Sequence, residues 1–233
     1  MKNHIVILGG MGPQASVALH SLLIHDNDIR FIQPDEYPFI IHASIPVTDF
    51  ISEPTFAPAA AQMIEETCQA VQTHQAAVIG MACNTAHLLL EDIPSLGTPA
   101  FVSMIDAVVD DIAQKNIKKV GLLASPFTIS ERLYHDALDK RGVSVIQPTD
   151  AQIDQLGSII RAVIAGDAPQ AFRHELTAIA QSLQARGAEC ILLGCTELPL
   201  VGVDSDLIVI DSLSSLSKAM LRQYTQSSQI GAF

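Results

Sequence analysis

Two cysteines carry the chemistry that this sequence can do. Cys83 lies in MACNTAH (81–87) and Cys195 in LLGCTELP (192–199). Each thiol closes a short apolar run and is followed at once by polar residues. That pattern marks the end of a β-strand and the start of a helix, where backbone N–H groups favour an anion. They draw a thiol pKa from about 8.5 toward neutrality. Asn84, Thr85 and Thr196 add side-chain donors or caps. Glu197, two residues past Cys195, acts in the opposite sense, because a neighbouring carboxylate disfavours a thiolate. The expectation is a thiolate at Cys83 and a thiol at Cys195, a pair in which one group takes a proton and the other gives one. Cys68, in a helical apolar stripe, and Cys190, inside an apolar strand, read as small hydrophobes instead.

The elements that must hold these thiols alternate along the chain. Short β-branched runs at 4–10, 37–46, 76–83 and 99–104 are separated by helical patterns at 13–26 and 58–74, with a third at 105–116. The pattern then restarts. Strands are predicted at 118–125, 143–149, 188–195 and 207–212, and helices at 129–142, 151–165, 168–186 and 213–224. Strand–helix alternation predicts an α/β fold with mainly parallel sheets. AAVIGMAC matches AECILLGC, and PAFVSMIDAVV matches LIVIDSLSSL, so the restart is an internal repeat. Two similar domains follow, with expected bounds 1–103 plus 212–233 and 104–211. Ligands in such sheets bind beyond the carboxyl ends of strands. Both thiols fall at those ends, so one cleft shared by the two domains is the expected site.

Composition narrows the function classes. With 233 residues, 48% of them hydrophobic, the chain has ample material for a core. A formal net charge of −12 argues against a nucleic-acid partner, which needs clustered Lys and Arg. No apolar run reaches the ~18 residues of a membrane span. The start, MKNHIVILGGMGP, reads as a strand and turn and not as a signal peptide, so a cytoplasmic location is expected. The four cysteines then suggest neither a disulfide framework nor, lacking a CxxC pair, a zinc site. The histidines form no metal-ligand cluster in sequence.

Three further stretches stand out. GGMGPQA (9–15) holds Gly10, Gly12 and Ala15 at the spacing of a dinucleotide fingerprint. No acidic residue ends the following strand, so the better reading is a tight turn whose N–H groups, at a helix start, hold a carboxylate. SPFTIS (125–130) occupies the equivalent place in the second half. Its Ser125 and Thr128 are either an ordinary helix cap or carboxylate contacts. His87, one turn past Cys83, reads either as a polarising group or as a structural histidine. VTDFISEP (47–54) is a plain connection or a lid.

Four stretches in order, ILGGMGP (7–13), ACNTAH (82–87), GLLAS with Thr128 (121–128) and GAECILLGCTELP (187–199), resemble the aspartate/glutamate racemase superfamily and, within it, the aspartate racemase branch. The resemblance covers nearly the whole chain. It implies two Rossmann-like domains related by pseudo-twofold symmetry, a homodimer, and racemisation without a cofactor. Cys83 and Cys195 would be the acid–base pair on opposite faces of one α-carbon. Asn84, Thr85, Thr196 and the backbone at Met11 and Gly12 would hold the α-carboxylate, and Glu197 would tune Cys195 or meet the ammonium. The chain departs from the branch after its second strand. The family carries Ile-Pro-Asp-Arg, whose Arg reads a distal carboxylate; here the residues are Ile45, Pro46, Val47 and Thr48. Ile164 stands where a lysine is usual. A buried carboxylate without a partner costs several kcal/mol, so a substrate other than aspartate is expected unless Arg132 or Arg161 compensates. Isomerisation or decarboxylation of a dicarboxylate, as in maleate isomerases and arylmalonate decarboxylases, and metabolite binding without catalysis are the alternative readings of this fold.

Overall fold

The first strand, β1 (His4–Gly9), is buried along its whole length. An unbroken buried run is what a central parallel strand requires, because helices cover both of its faces. The computed structural model describes residues 4–25 and 37–230. β1 leads through a glycine turn into α1 (Pro13–Ile24), where Pro13 occupies the first helical position. β2 (Phe39–Ser44), α2 (Ala57–Ala70), β3 (Val78–Met81) and β4 (Phe101–Val102) follow. All pairings are parallel and the sheet order is β2-β1-β3-β4.

After α3 (Met104–Gln114) the same arrangement recurs. β5 (Lys119–Leu123), β6 (Ser144–Ile146), β7 (Cys190–Leu193) and β8 (Ile208–Asp211) form a second parallel sheet of order β6-β5-β7-β8. Its helices are α4 (Pro126–Ser130), α5 (Leu133–Asp139), α6 (Asp150–Ala165), α7 (Arg173–Ala185) and the short α8 (Leu198–Val201). The last helix is α9 (Ser212–Ile230). The chain divides into two compact units, Met1–Met104 with Leu216–Phe233, and Ile105–Ser215. The protein therefore consists of two α/β domains, each built on a four-stranded parallel sheet. Among the described residues no helix is long and apolar enough to cross a membrane.

Period-two alternation sorts the second sheet's side chains onto two faces. Val120, Leu122, Cys190 and Leu192 pack with Val108, Ile112 and Tyr134 on one face. Leu123, Ile191 and Leu193 pack with Leu156, Ile160 and Leu183 on the other. Local signals set the helix ends. A capping box of Thr149 and Gln152 opens α6, and Gly166, at φ 101°, closes it.

One predicted helix is corrected. The stretch 129–142 is two helices, and the first starts earlier, at Pro126. The break is Arg132, whose φ of 56° lies in the left-handed region. Apolar periodicity runs through the break, and no glycine marks it. The strands before Cys83 and Cys195 are also shorter than predicted. Cys83 and Cys195 each lie two residues past their strand's end.

Candidate active site

In the first unit the strand ends are held close by small residues. Gly10 has φ 95°, and a Cβ there would strike the backbone N and O of Ile45. Ile45 N–H in turn donates to Gly9 O at 2.9 Å. This fixes the turn that delivers Met11 and Gly12 to the start of α1. The Gly12 carbonyl accepts from Ala15 and Ser16 N–H, and no side chain caps this helix. The adjacent strand end is pinned where Ala82 N–H donates to Leu8 O at 2.8 Å. Cys83 comes next and is 5% exposed, with Asn84 and Thr85 buried beside it.

The predicted helix start after Cys83 is a 3₁₀ segment, Thr85–Asp92, and its preceding residue Asn84 makes no side-chain cap. His87 supplies the local order instead. Its Nδ1 lies 2.8 Å from Cys83 O, and its Nε2 lies 3.0 Å from Met104 N. The backbone N–H can only donate, so Nε2 is the acceptor and the ring proton is on Nδ1, donated to Cys83 O.

The second unit repeats the plan. Gly194 N–H donates to Leu123 O at 2.7 Å, the counterpart of the Ala82–Leu8 bond, and Cys195 follows at 7% exposure. The helix after it, α8, has only four residues, and its first-turn neighbour Glu197 gives no side-chain cap. The Glu197 side chain turns to the cysteine. Cys195 Sγ donates to Glu197 Oε2 at 3.0 Å, and Thr196 Oγ1 donates to the same oxygen at 3.2 Å. Glu197 is buried, and its Oε1 has no hydrogen-bond partner among the described residues. Burial pushes its carboxyl above the ordinary range, opposed by the hydrogen bonds from Cys195, the backbone and Thr196. Ser125 is an N-cap of α4: its Oγ accepts from Thr128 N at 3.1 Å and donates to Thr128 Oγ1 at 2.9 Å.

Two residues at this end escaped the sequence reading. Tyr134 is wholly buried on α5, and its ring meets the space where a Gly194 Cβ would stand. Burial, then the charges of Cys195 and Asp211, hold its phenol well above the usual range. Asp211 ends β8, and its two carboxylate oxygens accept from Leu213 N and Ser214 Oγ. No local sequence signal marks Tyr134; the repeat of PAFVSM and LIVIDS brings attention near Asp211 without assigning it.

The residues considered for a distal carboxylate are placed differently. Thr48 is exposed, and its carbonyl accepts from Phe50 N. Ile164 is 38% exposed. Arg132 pairs with Asp136 at 3.0 Å, and Arg161 donates to Ser158 Oγ at 3.4 Å, both at exposed positions. The other two thiols are set apart by their surroundings. Burial, then Glu65, pushes Cys68 up to about 12, and burial, then Glu189, pushes Cys190 up to about 12. Among the described residues no group of three His, Cys, Asp or Glu is placed to hold a metal ion.

Two parallel α/β domains, each ending a sheet strand in a buried cysteine loop, define the class of this protein. Residues 8–219 match the model of the Asp/Glu/hydantoin racemase family, and the chain belongs to that family. Over 94% of its length it is 25% identical to a broad-specificity amino-acid racemase of Bacillus subtilis, covering 97% of that protein. A shorter match, 37% identical over 100 residues, is to an uncharacterized protein of Pectobacterium carotovorum, of which it covers 66%. Among solved structures, an aspartate racemase homologue from Pyrococcus horikoshii superposes with a TM-score of 0.78 at 26% identity, over 96% of this chain and 99% of that one. The chain spans about half the length of the curated glutamate racemases that it also matches.

Proposed function

We propose that the protein racemises free amino acids by a two-cysteine mechanism that needs no pyridoxal phosphate. The observation that carries this reading is the repeat of one local arrangement. Cys83 and Cys195 each lie two residues past the third strand of a four-stranded sheet, after equivalent backbone bonds from Ala82 to Leu8 and Gly194 to Leu123. Inverting a carbon without a cofactor requires an acid–base group on each face, and a duplicated domain supplies two. One thiolate removes the α-proton, and the opposite thiol gives its proton to the other face. The first cysteine then ends as thiol and the second as thiolate, so the reverse reaction uses the same groups in exchanged roles. The carbanion demands preorganised donors in a water-poor site. Asn84, Thr85, Thr196, Ser125, Thr128 and the N–H groups at Met11 and Gly12 are the donors we assign to it. Glu197 acts on Cys195, the thiol it already holds.

The substrate we infer is an amino acid without a side-chain carboxylate. Val47, Thr48 and Ile164 leave no positive charge at the places where the aspartate racemase pattern reads that group. Arg132 and Arg161 are engaged at exposed positions. The broad-specificity relative supports a substrate range wider than aspartate and glutamate. A cytoplasmic homodimer completes the reading and rests on the family pattern.

The test is solvent exchange. The reduced protein is incubated in D₂O with a panel of L- and D-amino acids, and loss of the α-proton is followed by NMR alongside the enantiomer ratio. Cys83→Ala and Cys195→Ala are run in parallel. Exchange with inversion by wild type, abolished in either variant, supports the reading. Absence of exchange with every amino acid overturns it in favour of dicarboxylate isomerisation or decarboxylation, or of metabolite binding.

A further inference from the structure

We infer that His87 is a positioning residue that sets the Cys83–Asn84 peptide plane and ties it to the point where the chain leaves the first unit. The inference builds on the assignment of Cys83 as an acid–base group. Three observations carry it. His87 is 6% exposed, so its ring nitrogens are shielded from water. Both nitrogens are engaged at good distances, Nδ1–H with Cys83 O at 2.8 Å and Nε2 with Met104 N–H at 3.0 Å. The ring also packs at 5.8 Å from Phe101, the first residue of β4.

The consequence for Cys83 follows from peptide geometry. A trans peptide is planar, so its C=O and N–H point in opposite directions. Holding Cys83 O toward the imidazole therefore aims Asn84 N–H the opposite way. If that plane turned, the thiol loop would lose one fixed backbone donor, and Cys83 ψ and Asn84 φ would both change. The 3₁₀ bond from His87 N to Asn84 O at 3.0 Å holds the next peptide, Asn84–Thr85, and not this one. The side-chain bond from His87 spans Cys83 itself.

The consequence for the crossover follows from helix ends. Met104 opens α3, and its N–H has no partner within the helix. His87 Nε2 accepts it and so serves as a cap supplied from a distant part of the chain. Ile105, the next residue, is the first of the second unit. One imidazole thus connects the Cys83 carbonyl with the first turn of the helix that crosses to the other domain.

The test separates the two nitrogens. His87→Asn places an amide donor near Nδ1 and keeps the Cys83 bond without the Met104 bond. His87→Gln reaches the place of Nε2 and keeps the Met104 acceptor without the Cys83 bond. His87→Phe retains the ring and neither bond. Racemisation kinetics are expected to show kcat lowered on the order of a hundredfold in Gln and Phe, as for loss of an oriented donor, with KM moving far less. The Asn variant should stay within about tenfold of wild type. Alkylation by iodoacetamide, followed by peptide mass spectrometry with Cys195 as internal reference, should show a changed Cys83 to Cys195 rate ratio in Gln and Phe but not in Asn. This second readout does not require turnover, so it stands even if wild type racemises nothing and the functional reading fails. Equal losses in all three variants, or a rate ratio unmoved in all three, would overturn the positioning role. Should the Phe variant not fold, the contrast between Asn and Gln decides alone.

Discussion

Gly194→Ala should destabilise the protein and displace Cys195, and the size of the effect can be worked out from its neighbours. A Cβ at this position would stand 2.9 Å from Tyr134 Cε2, 3.0 Å from Leu122 Cδ1 and 3.2 Å from Tyr134 Cδ2. Tyr134 and Leu122 are wholly buried, so neither can swing into solvent to make room. The backbone at Gly194 is not left-handed, so alanine itself meets no conformational penalty there. It even gains about 0.5 kcal/mol by restricting the unfolded chain. Overpacking a tight core typically costs about 1–3 kcal/mol, leaving a net loss of about 1–2 kcal/mol. For a chain of this size that corresponds to a drop in Tm of about 5 °C, read by calorimetry. Activity should fall more steeply, because relief of the clash moves the Gly194–Cys195 segment, and a misplacement of about 1 Å costs on the order of a hundredfold in rate. A double-mutant cycle with Tyr134→Leu isolates the contact. Tyr134→Leu alone leaves a cavity and destabilises by about 2–4 kcal/mol, but it removes the ring that the new methyl group would strike. The double variant should therefore be more stable than the sum of the two singles by about 1 kcal/mol. A Tm for Gly194→Ala within about 1 °C of wild type, with additivity within about 0.5 kcal/mol, would refute the reasoning.

Gly10→Ala should be harsher, because a left-handed φ of 95° costs an L-residue about 1–2 kcal/mol and the added Cβ meets the backbone of Ile45, which cannot rotate away. Gly142→Ala is the control, since Gly142 has φ 68° with nothing within 4 Å and should lose only the conformational part; equal losses in urea unfolding of the two variants would remove the claimed close approach. Glu197→Gln should shift the pH dependence of stability. Burial raises the Glu197 carboxyl above its ordinary 4.5, so the folded chain keeps a proton that the unfolded chain has already lost, and the stability this gives is full below about 4.5 and lost as pH rises through the folded value. The Tm of the Gln variant relative to wild type should accordingly increase from pH 4 to pH 8, and a decrease over that range would count against a raised carboxyl.

The strands were legible in the sequence because central parallel strands must be apolar without interruption, and HIVILG and CILL are such runs. Their ends were less legible. Hydrophobic runs continue through Ala82 and Cys83, and through Gly194 and Cys195, whereas ladder pairing stops at Met81 and Leu193. The break at Arg132 was hidden for a related reason: apolar positions keep helical spacing on both sides of a left-handed residue, and a single non-glycine turn carries no compositional mark. The pairing of Cys195 with Glu197 was visible as a two-residue spacing. Tyr134 on Gly194 and His87 on Met104 were not, because each joins positions whose adjacency exists only after the sheet has brought separate elements together.

The four thiols show how far local and long-range information divide. Residue type is the same in all four, and all are buried. Cys68 lies buried in a helix stripe beside Glu65 and Thr73, Cys190 begins a strand and packs in an apolar core, and both thiols are pushed up to about 12, burial being the first cause. Proton transfer near neutral pH is closed to groups held there. Cys83 and Cys195 lie beyond the strand ends, where the neighbouring groups are polar: the His87-bound carbonyl and Asn84 in one unit, Glu197 and Thr196 in the other. The repeat in the sequence identifies which two cysteines differ. The hydrogen bonds differ between them, with an imidazole on the carbonyl of one and a carboxylate on the sulfur of the other. Two loops at matching places in the repeat therefore set different groups against their cysteines, and under the proposed mechanism this difference would tune the two members of the pair separately.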